Sequence, residues 1–284
     1  MCFFCEKYGE DGGLWYLNPK LYARQLYRRK IDNEKYVPDA ISYRKEREEL
    51  FLKYDEARLL KDKKKVELYK EQLSNMYKEN EPCQVVPIED AFKVVDLANP
   101  ISTMSCICRK VMRAKDERCP DEYSCTGLGT GMLKWERWPE RYRGGVNFAN
   151  PDDVKEWLLK WNKRGMVHII MCYGTNEEGY PFVGGICNCD YPDCEAIRRR
   201  IDLDIHFSLL KSHYLAQIDY EKCTGCGTCA KRCQFGAIKM EVHFKKANID
   251  QLRCFGCGVC ATGCPEGAIS LIPKKEFPVL MEDY

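Results

Sequence analysis

Cys223-Thr-Gly-Cys226-Gly-Thr-Cys229-Ala-Lys-Arg-Cys233 is followed by Cys254-Phe-Gly-Cys257-Gly-Val-Cys260-Ala-Thr-Gly-Cys264-Pro265, and both runs have the spacing C-x2-C-x2-C-x3-C. The flanks repeat as well. Asp219 through Ile238 matches Asp250 through Ile269 at an offset of 31 residues, the step from Cys223 to Cys254. Such a repeat predicts two similar halves packed about a pseudo-two-fold axis. Three thiolates on one tight loop can grip three corners of a metal cluster, and a fourth ligand has to arrive from elsewhere. Gly225, Gly227, Gly256 and Gly258 suit loops that wrap closely and aim backbone N–H groups at sulfur. Zinc ribbons space their cysteine pairs further apart, which argues against a zinc module.

The pattern resembles that of bacterial two-cluster ferredoxins, in which the fourth cysteine of each run serves the other cluster. That resemblance implies one [4Fe-4S] cluster on Cys223, Cys226, Cys229 and Cys264. It implies a second on Cys254, Cys257, Cys260 and Cys233. The sequence departs from the family once: Gln234 stands where proline follows the fourth cysteine, whereas Pro265 keeps it.

Cysteine usage and charge narrow the class further. The chain has 19 cysteines in 284 residues, too long a chain and an odd count for a secreted disulfide scaffold, so ligation in a reducing compartment is expected. The net charge of only +2 provides no overall basic field for nucleic acid. Glu6 and Lys7 interrupt the start before an apolar stretch develops, so no signal peptide is expected. The longest mostly apolar run, 166–173, falls short of the roughly 20 residues of a membrane span. A cytoplasmic protein is the expectation.

Three zones follow, α+β overall. Residues 1–82 are expected to be a charged helical extension. Leu50, Tyr54 and Ala57, then Val66, Tyr69, Leu73 and Met76, keep helical spacing in one long helix or an αα-hairpin broken near 61–65. Between Lys20 and Asn80 there are 17 basic and 12 acidic side chains, mostly a solvated face that could dock a partner. A nucleic-acid patch on Tyr22, Arg24, Tyr27, Arg28 and Arg29 is the least favoured reading. Residues 83–212 are expected to form a small cysteine-rich α/β domain. In it, a helix on Ile88, Ala91, Phe92 and Val95 stops at Asn99-Pro100 before a strand over 101–107. A second helix, capped by Asn150 with Pro151, buries Val154, Trp157, Leu158 and Trp161, ends at Gly165 and leads to a strand over 166–172. A third helix begins near Glu195. Residues 213–284 are expected, from the resemblance, to form a ferredoxin-like domain of pseudo-two-fold β-α-β form.

Packing alone explains one or two buried cysteines, but the middle zone holds Cys106, Cys108, Cys119, Cys125, Cys187, Cys189 and Cys194. A third iron–sulfur cluster drawing four ligands from this set is the leading expectation. A zinc site, a reactive thiol site and structural cysteines are the alternatives. The stretches Ser105-Cys-Ile-Cys108-Arg109, Glu122-Tyr-Ser-Cys125, Gly165-Met-Val-His168 and Ile186-Cys-Asn-Cys189 resemble a group of anaerobe iron–sulfur proteins. In that group a cysteine-rich α/β domain precedes a dicluster ferredoxin domain. The likeness spans roughly residues 88–273 and leaves 1–82 without a counterpart. Here Asp190-Tyr-Pro-Asp193 intervenes before Cys194, where the group's pattern continues directly with cysteines.

Three features stay open. Cys2-x-x-Cys5, with Cys83 as a distant companion, is read as fraying or inert thiols before a metal-binding pair. His168, mid-strand, is read as a satisfied buried histidine before a ligand or proton donor. Gly127-Leu-Gly129-Thr-Gly131 lacks the strand and helix placement of a phosphate loop. No Ser-His-Asp set or paired carboxylate pattern is legible. The expected function is an electron-transfer protein or subunit of anaerobic metabolism, passing electrons to or from a redox partner, within an oxidoreductase complex or as a homo-oligomer. The alternative is an oxidoreductase whose middle domain reduces a small molecule.

Overall fold

Neighbouring residues in the strands of the middle zone face opposite ways. Val85, Ile169 and Cys187 enter one core, while Val86, Ile170 and Ile186 enter another. In the computed structural model, which describes residues 2–22, 39–80, 82–106, 108–109, 124–129, 146–175, 181–277 and 280, these strands form a six-stranded sheet. Its strands are β1 (Cys83–Val86), β2 (Ile101–Met104), β3 (Cys125–Leu128), β4 (Val146–Ala149), β5 (Val167–Thr175) and β6 (Pro181–Cys189). They lie in the order β1-β5-β6-β3-β2-β4, with every neighbouring pair antiparallel. The strand expected over 101–107 is shorter than read, ending at Met104.

One face is covered by helices α4 (Ile88–Leu97) and α5 (Pro151–Lys163). The α5 start is as expected: Asn150 Oδ1 accepts the Asp153 N–H at 2.9 Å. The first residues of the chain join this core. Phe4, Trp15, Tyr16 and Leu21 are buried against Val94, Leu158 and Ile170, so this part of the charged zone packs with the sheet rather than standing apart. The remainder is an αα-hairpin, α2 (Asp39–Leu59) and α3 (Lys63–Asn80), preceded in the chain by helix α1 (Phe3–Tyr8). The hairpin rests on Ile205 through Tyr54, Leu73 and Tyr77. The residues at 24–29 named for a nucleic-acid patch lie outside those described, and Tyr22 is buried.

The other face of the sheet meets the C-terminal domain. After α6 (Glu195–Ile201) the chain runs parallel beside β1 through Leu210, then enters β7 (Tyr214–Ile218). Helix α7 (Thr228–Arg232) and β8 (Ile238–Glu241) complete one half; β9 (Lys246–Ile249), α8 (Val259–Thr262) and β10 (Ile269–Pro273) form the other. The halves exchange partners. β7 pairs with β10 and β8 with β9, both antiparallel, and Ile218↔Ile269 is the counterpart of Ile249↔Ile238. The closing bonds are equally reciprocal, Asp219 N–H to Ala268 O and Asp250 N–H to Ala237 O, both 2.8 Å. This is an α+β, ferredoxin-like fold. No helix among the described residues is long and apolar enough to cross a membrane.

Candidate functional site

Each cysteine run wraps into a loop that needs glycine at one point. At Gly225 (φ +74°) an added Cβ would stand 1.8 Å from Lys245 O, and at Gly256 (φ +63°) 2.0 Å from Tyr214 O. The two loops therefore press on equivalent carbonyls at the start of the opposite half's first strand. Beyond each loop, Gly227 and Gly258 start the short helices α7 and α8 in the left-handed region.

The loops enclose two cavities. The first has about 350 Å³ of atom-free space, mouth included, and is lined by Cys223, Cys226, Cys229 and Cys264. The second, of about 330 Å³, is lined by Cys233, Cys254, Cys257 and Cys260. Both hold three cysteines of one run and the fourth of the other. The second cavity is otherwise lined by apolar residues and glycines, the first also by Thr224, Thr228 and Glu266, and four convergent sulfurs, three of them on a glycine-bearing loop, fit an iron–sulfur cubane.

The cavities differ in surroundings. Cys226 is exposed, and its thiol is held down first by the Thr228 hydroxyl, 3.4 Å away. Cys254, Cys257 and Cys260 are all buried. Burial pushes the thiols of Cys254 and Cys257 up, and that of Cys260 up to about 12. Bound iron would reverse that cost, since a coordinating thiol loses its proton outright. Phe235 and Phe255 stack at 4.0 Å on the wall of this second cavity and join the same core as Cys187, Cys189 and Cys194.

Gln234 and Arg232 fasten the domain to the sheet's helices. Gln234 accepts from Tyr191 N–H at 3.0 Å and donates to Gly165 O at 3.1 Å, work that a proline amide-free ring could not do. Arg232 donates to the carbonyls of Asn162 (2.8 Å) and Lys163 (2.9 Å) at the C-terminal end of α5.

Of the seven middle cysteines, six come together and Cys119 lies outside the described residues. Cys106 lies beside Cys108 and Cys125, Cys125 beside Cys187 (3.5 Å), and the series continues through Cys189 to Cys194. Hydrogen bonds from Cys108 and Cys125 hold the Cys106 thiol well below the usual thiol range. Each of the other five is pushed up, first because it keeps its proton on a neighbouring sulfur. Six neighbouring sulfurs, four of them buried, are a donor set suited to a cationic metal centre.

Arg109 locks this site. Its guanidinium, 5% exposed, lies 2.8 Å from Asp190 Oδ1, 3.6 Å from Asp193 Oδ2 and donates to Ser124 Oγ at 2.8 Å. The intervening Asp190–Asp193 segment thus supplies two buried carboxylates that tie the Cys106–Cys108 turn to the Cys187–Cys194 turn. Removing one member of such a buried set leaves an unpaired charge, at a cost of about 3–5 kcal/mol.

His168 belongs to neither site. Its register partner is Asn188, and alternation puts both on the helix-covered face, away from Cys187 and Cys189. The ring sits between Asn188 Oδ1 (2.6 Å from Nδ1) and Asn162 Nδ2 (3.1 Å from Nε2), so Nδ1–H donates and Nε2 accepts. Burial holds it neutral, with a pKa lowered to about 4. Gly127 and Leu128 lie inside β3, and Gly131 lies outside the described residues.

Cys2 and Cys5, expected to fray or pack inertly, do not fray: they are buried with their sulfurs 3.3 Å apart, on the far side of the sheet from Cys83. Their companion is His213, whose Nε2 is 3.2 Å from Cys2 and 3.1 Å from Cys5. Sequence reasoning missed His213 because no local pattern links it to a pair some 210 positions earlier.

A search among curated proteins finds no match. Residues 222–268 match the family model described as the 4Fe-4S dicluster domain, so this part of the chain is a 4Fe-4S dicluster domain, with the iron–sulfur electron-transfer role of that family.

Proposed function

We propose that the chain is an electron-transfer protein, or an electron-transfer subunit, of anaerobic metabolism in the cytoplasm. It would carry single low-potential electrons to or from a redox partner. The observation that carries this reading is the pair of cavities, each lined by three cysteines of one run and the fourth of the other. Cys223, Cys226, Cys229 and Cys264 would hold one [4Fe-4S] cluster, and Cys254, Cys257, Cys260 and Cys233 the second. Four of the six assembled middle cysteines would hold a third. When bound, each cluster takes up and releases one electron. The protein's part is to place these centres and control their access to water. The exposed Cys226 marks the end that a partner reaches, and the α2–α3 hairpin is offered as its docking element. Phe235 and Phe255 fill the space between the second cavity and the middle cysteines and keep water out.

Iron and acid-labile sulfide per chain, on protein purified without oxygen, test the proposal. About 12 irons are expected, falling to about 8 in the Cys187→Ser/Cys189→Ser variant. Cys260→Ser should stay folded and lose reduction of its partner. About 8 irons in the unmodified chain would remove the third cluster, and none would overturn the reading.

A further inference from the structure

Cys2, Cys5 and His213 belong to no cluster cavity. Cys2 caps the first turn of α1, and its sulfur accepts the Cys5 N–H at 3.4 Å, which holds both sulfurs on one side of the turn. His213 reaches them because the chain runs beside β1 just before entering β7. Among the described residues these three form the group of Cys and His ligand atoms lying within 4.8 Å of one another.

The histidine is oriented for ligation. The Tyr16 hydroxyl gives its one proton to Asp90 Oδ2 at 2.8 Å, with Asp90 completely buried. The Tyr16 oxygen, 3.5 Å from His213 Nδ1, is then left to accept, which places the imidazole proton on Nδ1. The lone pair therefore lies on Nε2, the nitrogen that faces both sulfurs. Hydrogen bonding of this kind from a carboxylate outward is how proteins orient metal-binding histidines.

We propose that Cys2, Cys5 and His213 form a mononuclear zinc site, separate from the iron–sulfur centres, that fastens the start of the chain to the root of the dicluster domain. Two thiolates and one imidazole suit zinc's borderline softness, and the two negative charges would neutralise the ion beside two buried cysteines and a half-buried histidine. Sulfurs about 2.3 Å from a tetrahedral ion stand about 3.8 Å apart, so Cys2 and Cys5 need to separate by only about 0.5 Å. Three protein ligands leave a fourth position for water or another small donor.

The test uses the full-length chain, produced with zinc present and purified without oxygen. Elemental analysis should give about one zinc per chain beside the cluster iron. Zinc X-ray absorption should show two sulfurs at about 2.3 Å and nitrogen at about 2.0–2.1 Å. Cys2→Ser/Cys5→Ser should lose the zinc and keep its iron, while Tyr16→Phe should weaken zinc about 10–100-fold against a competing chelator. Should the double variant fold poorly, the absorption spectrum of the unmodified protein decides. Absence of zinc, a sulfur shell that is not a pair, zinc retained in the double variant, or a Cys2–Cys5 disulfide in the unmodified protein would each overturn the proposal. None of these outcomes depends on the cluster content.

Discussion

At the scale of single residues, His168 shows how burial turns into pH dependence. Its pKa is lowered from 6.5 to about 4, so the unfolded chain binds the proton first as pH falls. Stability is therefore fully present above about pH 6.5 and is lost progressively towards pH 4. Between pH 7 and 5.5 the loss from this group is about 1 kcal/mol. Urea unfolding of the wild type and His168→Gln at both pH values should show that slope only in the wild type; an equal slope in the variant would mean the histidine titrates normally. The assignment of His168 as a satisfied core residue was legible in outline, because apolar neighbours on both sides of a strand residue bespeak burial. Its partners Asn162 and Asn188 were not, since they depend on strand register. Arg109 was visible only as part of a Cys-x-Cys-Arg string. Its task became clear when Asp190 and Asp193, from a segment that broke the expected cysteine pattern, closed on it.

At the scale of elements, the cysteine loops were legible because nearly everything they need is local. Three ligands, the left-handed glycines and the following short helix all fall within a dozen residues. The middle sheet was less so: its helices and strands matched their apolar stripes, but the order β1-β5-β6-β3-β2-β4 arises from pairings between distant segments. The α2–α3 hairpin breaks between Leu59 and Lys63, in the lysine-rich stretch that interrupts its apolar stripes. The loops also yield a prediction. Gly225→Ala and Gly256→Ala each force a methyl into a backbone carbonyl and add about 1–2 kcal/mol of left-handed strain. Each variant should lose about four irons, Gly225→Ala from the cavity of Cys226 and Gly256→Ala from that of Cys257, read by iron analysis and EPR of the reduced protein. Full iron in both would show that the loops tolerate a side chain.

At the scale of the whole molecule, a symmetric domain sits in an asymmetric setting. One cavity is lined by the exposed Cys226, while Cys254, Cys257 and Cys260 of the other are buried on the side of the sheet face that carries the middle cysteines. Stepwise air oxidation in the presence of a chelator and an alkylating agent should label Cys223, Cys226, Cys229 and Cys264 before Cys233, Cys254, Cys257 and Cys260. Mass spectrometry of the peptides reads the order. Labelling that follows the two sequence runs instead would refute the crossed sharing of ligands. That crossing also bears on how the protein is made. The run at Cys223–Cys233 leaves the ribosome first, yet it owns only three sulfurs of its nearer cavity. Its missing partner, Cys264, is synthesised 31 residues after its own fourth cysteine, Cys233. With the proposed crossed ligands, neither centre would be completed on a nascent chain until both runs had emerged and paired, so cofactor delivery would wait on the finished domain, and a chain stopped between the runs would own no complete site rather than one.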